Sequence, residues 1–316
     1  MSLVTAKEVA KAIQLDRYGP LGTAVSWALM RLTRMSSINR VYERYKDLPG
    51  PEFLEAILSH YEIDFEIPEE DYKRLPKEGA YITISNHPLG GIDGILLLKL
   101  LLARRPDYKI IANFLLQRIG PLSPYILPVN PFENHRDVKS SVLGFKRAME
   151  HLGAGHPLGI FPAGEVSTYK DGKLIVDKPW EEAAVKLIRK SGVPVVPIYF
   201  HARNSRLFYR LSRMNEMLRT AKLPSELATQ HSRSIKVRIG QPISPEVQQE
   251  QKTLEEFTDL LRRKTYMLAN AYQKERLIDQ IPTSIKIPKP PRKIASAVRT
   301  EVIEGEIVKL REKECR

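Results

Sequence analysis

A disulfide is beyond the reach of this chain, because its 316 residues include one cysteine, Cys315. A lone thiol beside the C-terminus fits a reducing compartment. Long apolar runs are also missing. The longest, residues 95–102, is interrupted by Lys99 and falls well short of the ~20 residues that span a bilayer. The opening Met-Ser-Leu-Val-Thr-Ala-Lys-Glu brings in charge before a signal-peptide core forms. The closing Glu-Cys-Arg is not a prenylation box. An integral membrane protein is therefore not expected. Acidic residues are in deficit, with 37 Asp and Glu against 50 Lys and Arg, which gives a net charge of +13. Such a surface favours anionic partners: nucleic acid, lipid head groups or an acidic acyl carrier protein. Zinc-finger spacing, a Walker loop and an RNA-binding aromatic motif are all absent, so nucleic acid is not expected. A Gly-x-Ser-x-Gly elbow is absent too, and with it the usual setting of a nucleophilic serine.

What is present is concentrated in Ser85-Asn86-His87-Pro88-Leu89-Gly90-Gly91-Ile92-Asp93-Gly94. A strand-like run precedes this segment and a leucine-rich, helix-like run follows it. A histidine held by a carboxylate is suited to general-base chemistry: the carboxylate sets the ring tautomer and leaves the other nitrogen free to take a proton. The glycines allow the backbone to bring His87 and Asp93 together. Read alone, His87 is equally a satisfied core histidine, and Asp93 equally the cap of a helix starting at Gly94. Asn86 would support the loop by a side-chain hydrogen bond. Further along come Phe161-Pro162-Ala163-Gly164-Glu165-Val166-Ser167 and Pro194-Val195-Val196-Pro197-Ile198-Tyr199-Phe200.

The order and flanks of these blocks resemble the lysophospholipid acyltransferase family, the relatives of bacterial 1-acylglycerol-phosphate acyltransferase, over residues 80–242. The details Asn-His-Pro-Leu-Gly-Gly, Phe-Pro-Ala-Gly-Glu-Val-Ser and Asn204-Ser205-Arg206-Leu207-Phe208 are similar to the hemolysin-labelled branch, which includes O-acyltransferases of ornithine and glycine lipids. The resemblance implies a glycerolipid-acyltransferase-like fold and an acyl thioester of acyl carrier protein or coenzyme A as donor. It also implies a lyso-lipid acceptor, with His87 as base and Asp93 as its support. Two departures stand out. Five residues separate His87 from Asp93 where the family has four. The usual Pro-Glu-Gly-Thr-Arg is here Pro162-Ala163-Gly164-Glu165-Val166, so the arginine associated with the acceptor phosphate is gone. Arg136 is the nearest stand-in for the second-block arginine. In the third block, Gly164 would offer a backbone N–H to an oxyanion, while Glu165 either fixes the loop or touches substrate, and Ser167 belongs to the substrate loop without being a nucleophile. Pro197 either shapes the sheet edge and acyl path or simply ends a strand.

The rest of the chain supplies the frame. Residues 1–75 read as helical, either as a membrane-docking region or as a layer packed on the core. Residues 76–280 alternate strand-like segments (81–85, 109–112, 126–129, 158–161, 195–200, 235–239) with helix-like ones (94–103, 138–152, 180–190, 205–218, 253–276). That pattern predicts an α/β fold, a mixed central sheet covered by helices, with an N-terminal helical layer. Residues 281–316 read as a Pro-rich linker and charged tail. Arg203, Arg206, Arg210 and Arg213 recur at helical spacing beside Leu207, Leu211, Met214 and Leu218. They form either an interfacial or carrier-protein surface or a solvated helix face.

The expected function is O-acyl transfer to a singly acylated lipid, preferably a lyso-aminolipid, without a metal or cofactor. The protein would sit in the cytoplasm, peripherally on the inner face of the cell membrane. Lysophosphatidate acylation is the alternative within the same chemistry; a non-catalytic, membrane-binding hemolysin-like protein is the alternative of another class.

Overall fold

The computed structural model describes residues 2–129, 138–170, 174–214, 216–227 and 233–271. The N-terminal layer holds α1 (Ala6–Ala12), α2 (Gly19–Leu32), α3 (Met35–Tyr45) and α4 (Gly50–His60). A capping box opens α1: Glu8 N–H donates to Thr5 Oγ1, and Thr5 N–H donates to Glu8 Oε2. Arg118 then donates to Glu8 Oε1 at 2.5 Å and ties α1 to the body. On α2 the buried face is made of Gly22, Ser26 and Met30. Its larger apolar side chains point outward, with Leu21 69% and Leu32 79% exposed.

The body follows as β1 (Ile63–Glu66), α5 (Glu69–Tyr72), β2 (Ile82–Ser85), α6 (Gly91–Leu102), β3 (Lys109–Asn113), β4 (Ile126–Val129), α7 (Val138–Gly153), β5 (Leu158–Ile160), β6 (Thr168–Lys170), β7 (Leu174–Val176), α8 (Glu182–Ser191), β8 (Val195–His201), α9 (Arg206–Met214), α10 (Glu216–Leu227), β9 (Arg233–Ile239), α11 (Pro245–Gln249) and α12 (Leu254–Tyr266). Seven strands form one sheet in the order β1-β9-β8-β2-β5-β3-β4. Every neighbouring pair is parallel except β8 with β9. The central strands are buried on both faces, with Thr83 and Ser85 of β2 enclosed among apolar neighbours, because helices cover both sides of the sheet. Ile82 and Ile84 of β2 and Leu158 of β5 pack against Leu152, Ile188 and Leu261 on one side, while Leu96, Leu97 and Leu100 of α6 join Phe200, Ile235 and Val237 on the other. β6 and β7 make a separate antiparallel ribbon.

Several expectations need correction. The region read as helical up to residue 75 contains β1, which pairs with β9 at the sheet edge; its helix α4 packs on the core through Phe53, Leu54 and Ile57, in line with the packed-layer alternative. The helix expected over 205–218 is two helices, α9 and α10, and Arg203 precedes both. α6 begins at Gly91, three residues before the expected start, so Asp93 lies inside its first turn. Pro197 is not at a sheet edge: β8 lies between β9 and β2, where Pro197 pairs with Ile84. Its missing N–H is tolerated because the antiparallel ladder begins one residue later, at Ile198. Arg136 and the tail 281–316 lie outside the described residues.

Candidate active site

Three neighbouring parallel strands, β8, β2 and β5, run into loops at the same edge of the sheet. This is why motifs far apart in sequence meet there. The β2–α6 loop carries Asn86 and His87. Asn86 is buried and pairs with the backbone of Phe200 in β8: Phe200 N–H donates to Oδ1 at 2.7 Å, and Nδ2 donates to the Phe200 carbonyl at 3.0 Å. The side-chain amide thus extends the sheet by one residue and anchors the loop. From β8's own exit, Asn204 Nδ2 donates to the Pro88 carbonyl at 3.0 Å and holds the loop's second residue pair.

His87 Nδ1 lies 3.0 Å from Asp93 Oδ2. The same oxygen accepts the N–H groups of Leu89 at 2.8 Å and Gly90 at 3.0 Å. Gly90 sits at φ +81°, a conformation that glycine reaches without a Cβ clash. Burial pushes the Asp93 carboxyl above its ordinary value, opposed by the hydrogen bonds from His87, Leu89 and Gly90. The imidazole stacks on Phe161, with ring centroids 4.3 Å apart, and is 17% exposed. An Nδ1–H donated to Asp93 leaves the Nε2 lone pair as the basic position. No partner for Nε2 occurs among the described residues. An oriented imidazole with one free basic nitrogen at a partly open edge is able to accept a hydroxyl proton.

A second buried carboxylate supports the loop from behind. Asp177 follows β7 and accepts His87 N–H at 3.2 Å and Ser167 Oγ–H at 2.6 Å through Oδ1. Its own N–H donates to the Tyr266 hydroxyl at 3.2 Å, and its carbonyl accepts from Arg262. Burial pushes this carboxyl up as well. Nothing in the sequence marked Asp177, because it belongs to no motif and reaches His87 across 90 residues.

The third-block loop is placed beside His87, since Ser167 N–H donates to the His87 carbonyl at 2.9 Å. Ser167 is buried, and its hydroxyl donates to Asp177 Oδ1. The expectation for Gly164 does not hold: its N–H donates to the Phe161 carbonyl at 2.9 Å, closing a turn, and is not available to an oxyanion. Glu165 is paired twice, with Lys178 and with Arg219 of α10, each at 2.7 Å. The loop is therefore not short of arginine; the guanidinium arrives from another element. Burial pushes the Glu165 carboxyl up, but Lys178 and Arg219 outweigh it and hold the carboxyl below its usual value.

Arg203, Arg206, Arg210 and Arg213 are all exposed, and Arg203 directly precedes Asn204, which holds the Pro88 carbonyl. Arg213 lies over the Tyr169 ring, 4.7 Å from its centroid. α9 is seated by Phe208 and Tyr209, leaving Leu207 and Met214 outside. No group of three or more His, Cys, Asp and Glu side chains is placed to hold a metal among the described residues. No helix among them is long and apolar enough to cross a membrane.

The acyltransferase family model matches residues 7–275, and the chain belongs to that family. A lyso-glycine lipid O-acyltransferase of Bacteroides thetaiotaomicron is 29% identical over 250 residues, covering 76% of this chain and 88% of the relative. A protein of the same name from Phocaeicola vulgatus is 26% identical over 274 residues, covering 84% of this chain and 95% of the relative. The crystal structure of the 1-acyl-sn-glycerophosphate acyltransferase PlsC from Thermotoga maritima aligns with 85% of this chain and 95% of its own, at 16% identity and a TM-score of 0.44.

Proposed function

We propose that this acyltransferase moves a fatty acyl group from an acyl thioester, of acyl carrier protein or coenzyme A, to the hydroxyl of a lyso-aminolipid of the glycine or ornithine type. The observation that carries the chemistry is the His87–Asp93 pair, 3.0 Å apart at the mouth of the three strand-end loops. In this reading His87 Nε2 takes the acceptor's hydroxyl proton as its oxygen attacks the thioester carbonyl. The C–O bond forms, the C–S bond breaks, and the thiol leaves with a proton returned by the imidazole. Asp93 holds the tautomer and offsets the positive charge that forms on the ring. The acceptor assignment is supported by the names of both curated relatives.

The protein works, in this proposal, as a peripheral protein on the inner face of the cell membrane, where a lipid acceptor resides. Two surfaces support that placement. α2 turns Leu21 and Leu32 outward beside a cleft of about 540 Å³ lined by Trp27, Arg31, Arg34, Ser36, Ser37 and Arg40. α9 exposes Leu207 and Met214 next to Arg206, Arg210 and Arg213. Apolar side chains flanked by cations suit an anionic bilayer surface.

The test is a reconstituted assay with acyl-carrier-protein and coenzyme A thioesters, each offered lyso-glycine lipid, lyso-ornithine lipid and lysophosphatidate in vesicles. Mass spectrometry should find the O-acylated aminolipid. A higher kcat/KM for lysophosphatidate would overturn the acceptor assignment, and no product from any acceptor would overturn the activity.

A further inference from the structure

A third apolar surface stands at the catalytic edge of the sheet itself. β3 is parallel to β5, as β2 is, so it leaves the sheet at the same edge as the His87 loop. Ile84 pairs with Ile160 and Ile110 with Gly159, which ends β2 and β3 at nearly the same level on either side of β5. Two strand spacings of about 4.8 Å separate them. Phe161, which follows β5 and stacks on His87, stands between. The chain leaving β3 forms a short 3-10 helix, Phe114–Arg118, none of whose residues is buried. Phe114 is 43%, Leu115 45% and Leu116 36% exposed.

The fold holds these side chains outward. Leu115 N–H donates to Asn113 Oδ1 at 2.9 Å and fixes the start of the short helix. At its end, Arg118 pairs with Glu8 of α1. The Tyr42 hydroxyl of α3 donates to the Arg118 carbonyl at 3.4 Å and accepts Gly120 N–H at 3.4 Å. Both ends are thus bound to protein, while the three apolar side chains between them meet solvent. Three adjacent large apolar side chains on one supported turn mark an interaction surface, unlike scattered single exposures. Charge says which partner fits. Residues 108–132 contain no Asp or Glu and carry Lys109 and Arg118. On the other flank of His87, β8 leads through Asn204 to α9, which exposes Leu207 and Met214 beside Arg206 and Arg210. Residues 203–214 likewise lack a carboxylate. A flat anionic layer, able to reach both flanks of the site at once, suits this arrangement.

We infer that Phe114, Leu115 and Leu116 enter an anionic bilayer, and that the catalytic edge of the sheet is the face turned to the membrane, with His87 between the two contacts. This rests on the lipid-acceptor reading above and adds an orientation to it. A lyso-lipid keeps its acyl chain in the leaflet while its hydroxyl stands at the interface. An enzyme docked by this edge meets that hydroxyl without drawing the lipid out. Withdrawal would expose each methylene of the chain to water, and the edge-on contact avoids that cost.

The experiment places a fluorophore on this surface. In the full-length chain with Cys315→Ser, Leu115→Cys carries an environment-sensitive nitrobenzoxadiazole label. Lys77→Cys, at an exposed position before β2 and so at the opposite edge, is the control. Vesicles of phosphatidylethanolamine and phosphatidylglycerol with brominated acyl chains should blue-shift and quench the Leu115→Cys label and leave the Lys77→Cys label unchanged. Phe114→Ser combined with Leu116→Ser should raise KM for lyso-glycine lipid embedded in such vesicles by about tenfold to a hundredfold. The same pair should keep the wild-type kcat/KM for a short-chain lyso-glycine lipid dissolved in water. A Leu115→Cys label that stays in water while the protein sediments with vesicles would overturn the inference. Equal losses on embedded and dissolved acceptors would do the same, because they mark a substrate pocket. A dimer that dissociates in the serine variant would also overturn it, because a second copy of the chain would then cover the patch. Quenching of the Leu115→Cys label with no acyl transfer to lyso-glycine lipid would instead overturn the aminolipid acceptor and leave the docking edge standing. If the serine variant does not fold, the two labels decide alone.

Discussion

Asn86 and Phe200 exchange the two hydrogen bonds of a paired strand residue, although one partner is a side chain. The amide of Asn86 substitutes for a peptide group at the point where β2 has ended. The residue before His87 is thereby fixed to β8, while His87 itself is left to turn out of the sheet.

Replacing Asn86 by Ala leaves the Phe200 N–H unpaired in a buried setting, while the Phe200 carbonyl keeps the N–H of Ala202 at 3.0 Å. The expected cost is about 1–3 kcal/mol for the unsatisfied group, read from urea unfolding. Asn86→Asp keeps the acceptor but sets a carboxylate oxygen against the Phe200 carbonyl, and should be no better than Ala. If both variants matched the wild type in stability, the clamp would be dispensable.

Loss of the base should be visible in turnover. His87→Ala is expected to lower kcat by about 10² to 10⁴ with an unchanged circular dichroism spectrum. Asp93→Asn should cost a similar or smaller factor, because it keeps the shape and loses the charge that supports the imidazolium. Near-normal turnover by a folded His87→Ala protein would sink the proposed mechanism.

Asp177 touches no reacting atom in this arrangement, so it is a positioning residue. Asp177→Asn retains an acceptor for His87 N–H and Ser167 Oγ and should be mild. Asp177→Ala leaves both donors unpaired, and should lower kcat more than KM for the acyl donor. Equal kcat for the Ala and Asn variants would show that the His87 loop does not depend on this contact.

His201, at the end of β8, gives the fold a pH dependence. Burial, reinforced by Arg238 and Lys236, holds its imidazole down from 6.5 to about 3. The unfolded chain binds a proton below the ordinary histidine value, whereas the folded chain refuses it until about 3. Stability from this group is therefore complete above the unfolded value and declines as the pH falls through that window, by up to about 1.4 kcal/mol per pH unit. Urea midpoints at several pH values should fall more steeply for the wild type than for His201→Gln. Parallel slopes would mean that His201 is protonated in the native state.

Membrane attachment should respond separately to its two components. Serine at Leu21 and Leu32 removes apolar contact from α2 and should weaken sedimentation with vesicles at any ionic strength. Glutamate at Arg206 and Arg210 removes two cations worth about 1 kcal/mol each at most, and should flatten the salt dependence. Vesicle binding unchanged by either pair would place the bilayer contact elsewhere.

Periodicity and local spacing carried the fold class. The strand-like runs that became β2, β3, β4, β5, β8 and β9 stand between helical patterns, and each is read from residues adjacent in the chain. The His87–Asp93 pair was legible for the same reason: a short loop with two glycines brings together residues six positions apart. β1 was missed because Ile63-Asp64-Phe65-Glu66 alternates over only four residues, too short a run to stand out at the end of a helical region. The start of α6 was misplaced because Gly90 and Gly91 resemble a loop until Asp93 is seen to hold the Gly90 N–H.

The sequence by itself determined that a histidine–carboxylate pair lies on a tight loop within an α/β chain, since local backbone preferences and hydrophobic alternation act over a few residues. Only the tertiary structure decided what surrounds that pair. Phe200 reaches Asn86 across 114 residues, Asp177 reaches His87 across 90, and Arg219 reaches Glu165 across 54. Those contacts follow from the strand order β8-β2-β5 and from α10 folding over the loops. Sheet order is set by how whole helices and strands share the core, so no local pattern records it.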